Sequence, residues 1–214
     1  MKTTLLLVRH GESAANGKGF FAGQTDIELS DRGRMQAEKV ADWLFENYQV
    51  DKIYSSDLKR AYDTAEFIAK KYALQIQKTG ALREINAGEW QGKTFDELQK
   101  SYADGYGVWL KDIGNAKCPQ GETVEGLYDR IQRTVFNIIK ENEGKNIVIV
   151  THATPIRVLC CWALGVSLVD MKKVAWVSNA SVTEIRVSAG ERVLHQMSTD
   201  EYLVGFQTSF PANV

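Results

Sequence analysis

Two histidines stand where buried strands would surface, and each has chemically useful neighbours. Arg9-His10-Gly11-Glu12 follows the apolar run Leu5-Leu6-Leu7-Val8, and His152 follows Ile147-Val148-Ile149-Val150-Thr151. In open α/β sheets, ligands bind beyond the carboxyl ends of such strands. Arg60 follows a third short run through Ile53-Tyr54-Ser55-Ser56, and Glu84 follows Ala81-Leu82-Arg83. Taken alone, Arg60 reads as a helix-surface arginine and Glu84 as a solvated loop carboxylate. Taken together, two arginines and two histidines at one sheet edge make a compact anion trap. The arginine fork matches the geometry of phosphate oxygens. The amides after His10 and a helix start after His152 add N–H donors and a positive dipole end. A dianionic phosphoryl group is the natural ligand.

The elements that must carry these residues follow from pattern. Short β-branched runs predict buried strands over 5–8, 52–55, 74–77 and 147–151. Between them, apolar spacing predicts helices over 31–47, with Ser30 as N-cap and Met35, Val40, Leu44 and Phe45 inward. A second helix is predicted near 58–72, capped by Ser56 or Asp57. A third is predicted over 123–142, with Val124, Leu127, Ile131, Val135 and Ile138 inward. Another begins at Thr154-Pro155, where proline suits a first turn. Residues 9–29 read as a polar loop, and 79–121 as less regular, with a short amphipathic piece at 95–102. Strands at 181–187 and 192–197 read as a hairpin through Ala189-Gly190; His195 falls there and has no predicted role. Strands alternating with helices predict an α/β class with a largely parallel sheet and right-handed crossovers.

Composition narrows the function classes. The chain has 214 residues, 44% hydrophobic, enough for one domain with a sizeable core. Its 26 Lys plus Arg against 27 Asp plus Glu give no global basic bias, so nucleic acid is not an expected partner. Three cysteines argue against a disulfide framework and fit a reduced, cytoplasmic protein. No apolar run is long enough for a membrane span, and the first one is too short for a signal peptide. A homodimer is compatible with all of this. The stretch from Gly88 to Thr94 imitates a P-loop, but its first glycine is one residue too close and no strong strand precedes it. The histidines and cysteines lack metal-ligand spacing, so no metal is expected. There is no Gly-x-Ser-x-Gly elbow and no cysteine-phosphatase signature.

The residues also resemble a known family. Leu7-Val8-Arg9-His10-Gly11-Glu12-Ser13 with Asn16, then Leu29-Ser30-x-x-Gly33-x-x-Gln36-Ala37, is similar to the histidine phosphatase superfamily, the phosphoglycerate mutase-like family. So are Ser55-Ser56-Asp57-Leu58-x-Arg60-Ala61 with Thr64-Ala65, Leu82-x-Glu84 with Gly88-x-Trp90-x-Gly92, and Val150-Thr151-His152. The matches keep the family's order over residues 5–183. The resemblance implies a three-layer sandwich: a mainly parallel central sheet flanked by helices. It implies one domain over 1–214 with a cap-like insertion around 93–122. It makes His10 the nucleophile that becomes phosphohistidine. Arg9, Arg60 and His152 would hold the phosphoryl oxygens, with Asn16 assisting, and Glu84 would be general acid and then base. Backbone at Ala22, Gly23 and Ala153 would border a small phosphorylated substrate, with no cofactor. Gly11 would let backbone come close, and Glu12 would steady the basic cluster. Glu89 would be a surface residue.

Departures from the family bear on substrate fit. Ala153-Thr154 replaces the Gly common after the second histidine. Pro119-Gln120-Gly121-Glu122-Thr123 stands for Pro-Gly-Gly-Glu-Ser, and Ala87 replaces a common Phe. The expected activity is a metal-independent phosphomonoester hydrolase. A cofactor-dependent phosphoglycerate mutase stays open, as does an inactive phospholigand-binding module. The chain is shorter than typical mutases and lacks their longer insertion after the Glu84 segment, which favours hydrolysis. Phe20, Phe21, Tyr102, Tyr106, Val108 and Trp109 are expected either to cap the site or to pack the insertion's own core.

Overall fold

The structure, a computed structural model, describes residues 1–208. One mixed sheet holds β1 (Thr3–Arg9), β2 (Lys52–Ser56), β3 (Ile76–Thr79), β4 (Asn146–Thr151), β5 (Val182–Ser188) and β6 (Glu191–Thr199). Their order across the sheet is β3-β2-β4-β1-β5-β6. The first four run parallel, and β5 and β6 add an antiparallel hairpin. Ala189 and Gly190 turn that hairpin with φ of 49° and 85°, the left-handed pair that suits a tight strand connection. The helices are α1 (Ala14–Lys18), α2 (Asp31–Asn47), α3 (Lys59–Tyr72), α4 (Phe95–Ser101), α5 (Ala103–Lys111), α6 (Val124–Glu141) and α7 (Ala153–Leu164).

Helices cover both faces, which is why the central strands are apolar at every position rather than alternately. Leu6 and Val8 of β1 pack with Val148 and Val150 against Val40 and Leu44 of α2 and Ala65 and Ile68 of α3. Leu5 and Leu7 face the opposite way with Ile147 and Ile149, against Leu127 and Ile131 of α6 and Ile156 of α7. The period of two along each strand splits one leucine run between two cores. Cys118, Cys160 and Cys161 are buried free thiols in the second core, and burial pushes Cys118 and Cys160 up to about 12.

Four local expectations need correction. Met35 and Phe45 are exposed; α2 buries Gln36, Ala37 and Ala41 beside Val40 and Leu44 instead. The start of α3 is capped by neither Ser56 nor Asp57. Leu58 holds the cap position, and Oδ1 of Asp26, from the long loop, accepts the Lys59 amide at 2.7 Å. Strand β3 begins at Ile76 rather than at Leu74. The stretch with Gly105 and Gly107 folds as α5 despite its glycines, because Tyr106 and Trp109 sit three residues apart and both bury.

The turn after β1 runs against the first turn of α2 at van der Waals limits. A Cβ on Gly11 would lie 2.4 Å from the Gly33 carbonyl oxygen, and one on Gly33 would lie 1.9 Å from that of Glu12. Either alanine must push backbone apart, at a cost of about 1–3 kcal/mol or more. At Gly107 in α5 nothing lies within 4 Å of a built Cβ. Urea unfolding should therefore show Gly33→Ala strongly destabilised and Gly107→Ala stabilised by about 0.5–1 kcal/mol. Equal midpoints for the two variants would contradict the packing.

Candidate active site

Strands β1 and β4 pair in parallel with Arg9 opposite Thr151, so the next residue of each strand leaves the sheet at the same level. Those residues are His10 and His152, whose ring centroids are 5.0 Å apart at an interplanar angle of 61°. The His10 amide donates to the Thr151 carbonyl at 3.0 Å. Its carbonyl accepts from Nδ2 of Asn179 at 3.0 Å. Beyond β4, strand β2 delivers Arg60 in the first turn of α3. One turn on, the Thr64 hydroxyl accepts the Gly11 amide at 3.1 Å and donates to the Arg60 carbonyl at 2.7 Å. Helix α3 is thereby pinned to the turn that carries His10.

Two independent contacts fix the His10 tautomer. Nδ1 lies 2.7 Å from the Gly11 carbonyl, which can only accept, so Nδ1 carries the proton. Nε2 lies 3.2 Å from Nε of Arg60, which can only donate, so Nε2 is bare. Burial, then the charges of Arg60 and Arg9, hold the imidazole well below the ordinary histidine value of 6.5. At neutral pH the ring is a neutral base with its lone pair facing the cations.

Backbone carbonyls hold the arginines. Arg60 donates from Nη1 to Thr25 O and from Nη2 to Gly23 O, both at 2.8 Å. Nη1 of Arg9 donates to Val177 O at 2.6 Å. Burial lowers both to about 10, against the pull of the Glu84 charge, so both stay cationic at neutral pH. His152 is fully buried and does not line the cavity. Its Nε2 lies 2.8 Å from Oγ of Ser56, which also accepts the Leu58 amide at 3.3 Å. The serine hydroxyl can donate to Nε2 or accept from it, and Nδ1 is buried without a hydrogen-bond partner among the described residues. Burial and the neighbouring Arg60 keep this ring neutral too. Glu84 Oε1 accepts its neighbour Ile85's amide at 2.8 Å. Oε2 accepts the Thr154 amide in the first turn of α7 at 3.3 Å.

Arg9, His10, Asn16, Ala22, Gly23, Arg60, Glu84 and Ala153 all line one cavity of about 120 Å³. Asn16 shares its Oδ1 between the Ser13 amide and hydroxyl and Asn179. The aromatic expectation divides. Phe20, Phe21 and Trp109 line the cavity, whereas Tyr106 is buried edge-on against Trp90, Tyr102 reaches Glu89, and Val108 is exposed. Glu89 is exposed, as expected. Glu12 does not face the basic cluster: its carboxylate accepts from Ser30 at 2.8 Å and pairs with Arg32 at 3.6 Å at the start of α2. Sequence reasoning missed Phe95, Trp176 and Asn179, which also line the cavity. Trp176 is stacked under the Arg157 guanidinium at 4.0 Å, and Arg157 itself donates to the Met171 and Val174 carbonyls.

The sequence pattern of the histidine phosphatase superfamily (branch 1) matches residues 5–200. The chain belongs to the histidine phosphatase superfamily. Phosphoserine phosphatase 1 of Hydrogenobacter thermophilus is 32% identical over 202 residues, spanning 94% of this chain and 95% of that one. Phosphoglycerate mutase-like protein 4 of Arabidopsis thaliana is 35% identical over 190 residues, spanning 88% and 81%. Among solved structures, mycobacterial glucosyl-3-phosphoglycerate phosphatase superposes with a TM-score of 0.86 at 27% identity, covering 94% of this chain and 100% of that one. This histidine phosphatase has the phosphoglycerate mutase-like fold and is a phosphatase enzyme. Among the described residues no helix is long and apolar enough to cross a membrane.

The buried neutral rings link stability to pH. The folded-state values of His10 and His152 lie below the unfolded value of 6.5, so the unfolded chain binds more protons as pH falls. Their contribution is complete above pH 6.5 and is lost below it, by up to about 1.4 kcal/mol per pH unit for each ring. Urea midpoints measured from pH 7.5 to 5.5 should drop below about 6.5; a flat profile would show that the rings are not held neutral.

Proposed function

We propose that this phosphatase is a metal-independent phosphomonoesterase that works through phosphohistidine. The observation that carries the reading is the His10 tautomer: an acceptor on one side and a donor on the other leave Nε2 bare beside two buried cations. A phosphate entering the cavity takes the Nε–H of Arg60 on an oxygen, and the Nε2 lone pair is then aimed at phosphorus. Nε2 forms the N–P bond while the P–O bond to the leaving group breaks. Glu84 gives its proton to the leaving oxygen, then takes one from the water that hydrolyses the phosphohistidine. Arg9, Arg60 and Asn16 hold the equatorial oxygens, where charge accumulates in a loose transition state. In its Nδ1–H tautomer His152 would donate to one of them. Ala22, Gly23 and Ala153 border the group with backbone. Charge neutralisation here comes from guanidinium groups and helix-start amides, the task a metal performs elsewhere.

The cavity also speaks to the substrate. Phe20, Phe21, Phe95, Trp109 and Trp176 form its walls, and Arg9, Arg60 and Glu84 are its charged residues among those described. All three are committed to the phosphoryl group in this reading. Among the described residues the remaining wall has polar side chains at Ser13, Thr154, Asn179 and Thr208 but no further Arg or Lys for a second phosphate, which weighs against a bisphosphate-retaining mutase. A small phosphomonoester with an uncharged, partly apolar leaving group fits best.

With EDTA present, the protein should release phosphate from benzyl and p-nitrophenyl phosphate in preference to phosphoserine or 3-phosphoglycerate. Conversion of 3-phosphoglycerate to 2-phosphoglycerate without phosphate release, in the presence of catalytic 2,3-bisphosphoglycerate, would overturn the hydrolase reading. His10→Ala should abolish turnover and acid-labile phosphate labelling together. Labelling that persists in this variant places the nucleophile elsewhere.

A further inference from the structure

Glu84 sits on backbone with no regular structure, between single 3₁₀ turns at Gly80–Leu82 and Gly88–Trp90. A proton donor needs placement to a fraction of an ångström, so something outside the segment must hold it. Arg130 of α6 does. Its Nη1 donates to Ala81 O at 2.9 Å and Arg83 O at 3.0 Å, and its Nη2 donates to Glu84 O at 3.2 Å. The other edge of the same guanidinium makes a bidentate pair with Glu122, Nε to Oε1 at 2.9 Å and Nη2 to Oε2 at 2.8 Å.

Glu122 then reaches the far side of Glu84. Its Oε2 accepts the Asn86 amide at 2.8 Å, and its own amide donates to Asn86 O at 2.8 Å. Gly121 allows this approach, since a Cβ there would lie 2.2 Å from Asn86 O. One ion pair thus grips the chain before, at and after Glu84. Three carbonyl dipoles converge on one guanidinium; without it they would repel and the segment would relax. Neither Glu122 nor Arg130 lines the cavity.

We propose that the Glu122–Arg130 pair is the positioning device for the Glu84 carboxyl, setting its reach to the leaving oxygen. The proposal rests on Glu84 being the proton donor. It differs from a stabilising role in one respect: the loss must depend on the leaving group. Benzyl alcohol leaves only if protonated, whereas p-nitrophenol is acidic enough to leave as its anion. The ratio kcat/KM reports the step up to phosphohistidine formation and is blind to its later hydrolysis.

The experiment compares kcat/KM on benzyl and p-nitrophenyl phosphates for wild type, Arg130→Met, Arg130→Lys, Glu84→Gln and the Glu84→Gln/Arg130→Met double variant. Arg130→Met should lose about 10- to 100-fold on benzyl phosphate and less than about 3-fold on p-nitrophenyl phosphate. Arg130→Lys, which keeps the charge and some donors, should recover part of the loss. In the double variant the arginine change should cost nothing further on benzyl phosphate, because no acid is left to position. Equal losses on both esters, or losses that multiply in the double variant, overturn the proposal. If Glu84→Gln itself slows both esters equally, the proton-donor reading fails, and the positioning proposal with it. Retained p-nitrophenyl phosphate hydrolysis shows that each variant folds.

Discussion

Pairing of β1 with β4 sets Arg9 against Thr151, and both strands end there. Every other feature of the site depends on that register. A slip of one residue would turn Leu5 and Leu7 toward the wrong core and carry His10 to the other side of the sheet. With the register held, the two imidazoles emerge side by side and fill a space into which two guanidinium groups can reach. Burial and then the cations hold the rings neutral, and three carbonyls from two loops hold the cations.

The electrostatics are assembled before a ligand arrives. Arg9 and Arg60 are desolvated and already bonded to Val177, Thr25 and Gly23. Burying charge costs free energy, which the folded core supplies rather than the substrate. In the mechanism proposed, little reorganisation is then left for the reaction itself. The Coulomb field that favours an incoming dianion adds to burial in keeping a proton off His10.

Strand ends were the legible part of this site. His10 and His152 each follow a run that reads as a buried strand, and Arg60, ordinary on its own, gains meaning because it follows a third such run at the same sheet edge. Glu84 could be picked out as a carboxylate beside the cluster, but on its own it read as a solvated loop residue, since its segment has no periodicity, and its role came only from the family pattern. Asn179 and Trp176 left no local signal: Ser178-Asn179-Ala180-Ser181 reads as an ordinary turn, and only tertiary packing brings it under His10. The cap of α3 by Asp26 is hidden for the same reason. Helix α5 defied its glycines because burial of Tyr106 and Trp109 outweighs propensity. Met35 and Phe45 misled in the opposite direction, being apolar residues that α2 turns to solvent.

The topology has a consequence for how the chain reaches this state. Strand β1 lies between β4 and β5, both far downstream in sequence. A growing chain therefore carries Leu5-Leu6-Leu7-Val8 unpaired until almost everything else has been made. Such long-range pairing folds slowly and leaves an adhesive segment exposed meanwhile. Regain of catalysis during refolding would accordingly report the last event rather than an early one, because His10 is not housed until the central strand docks.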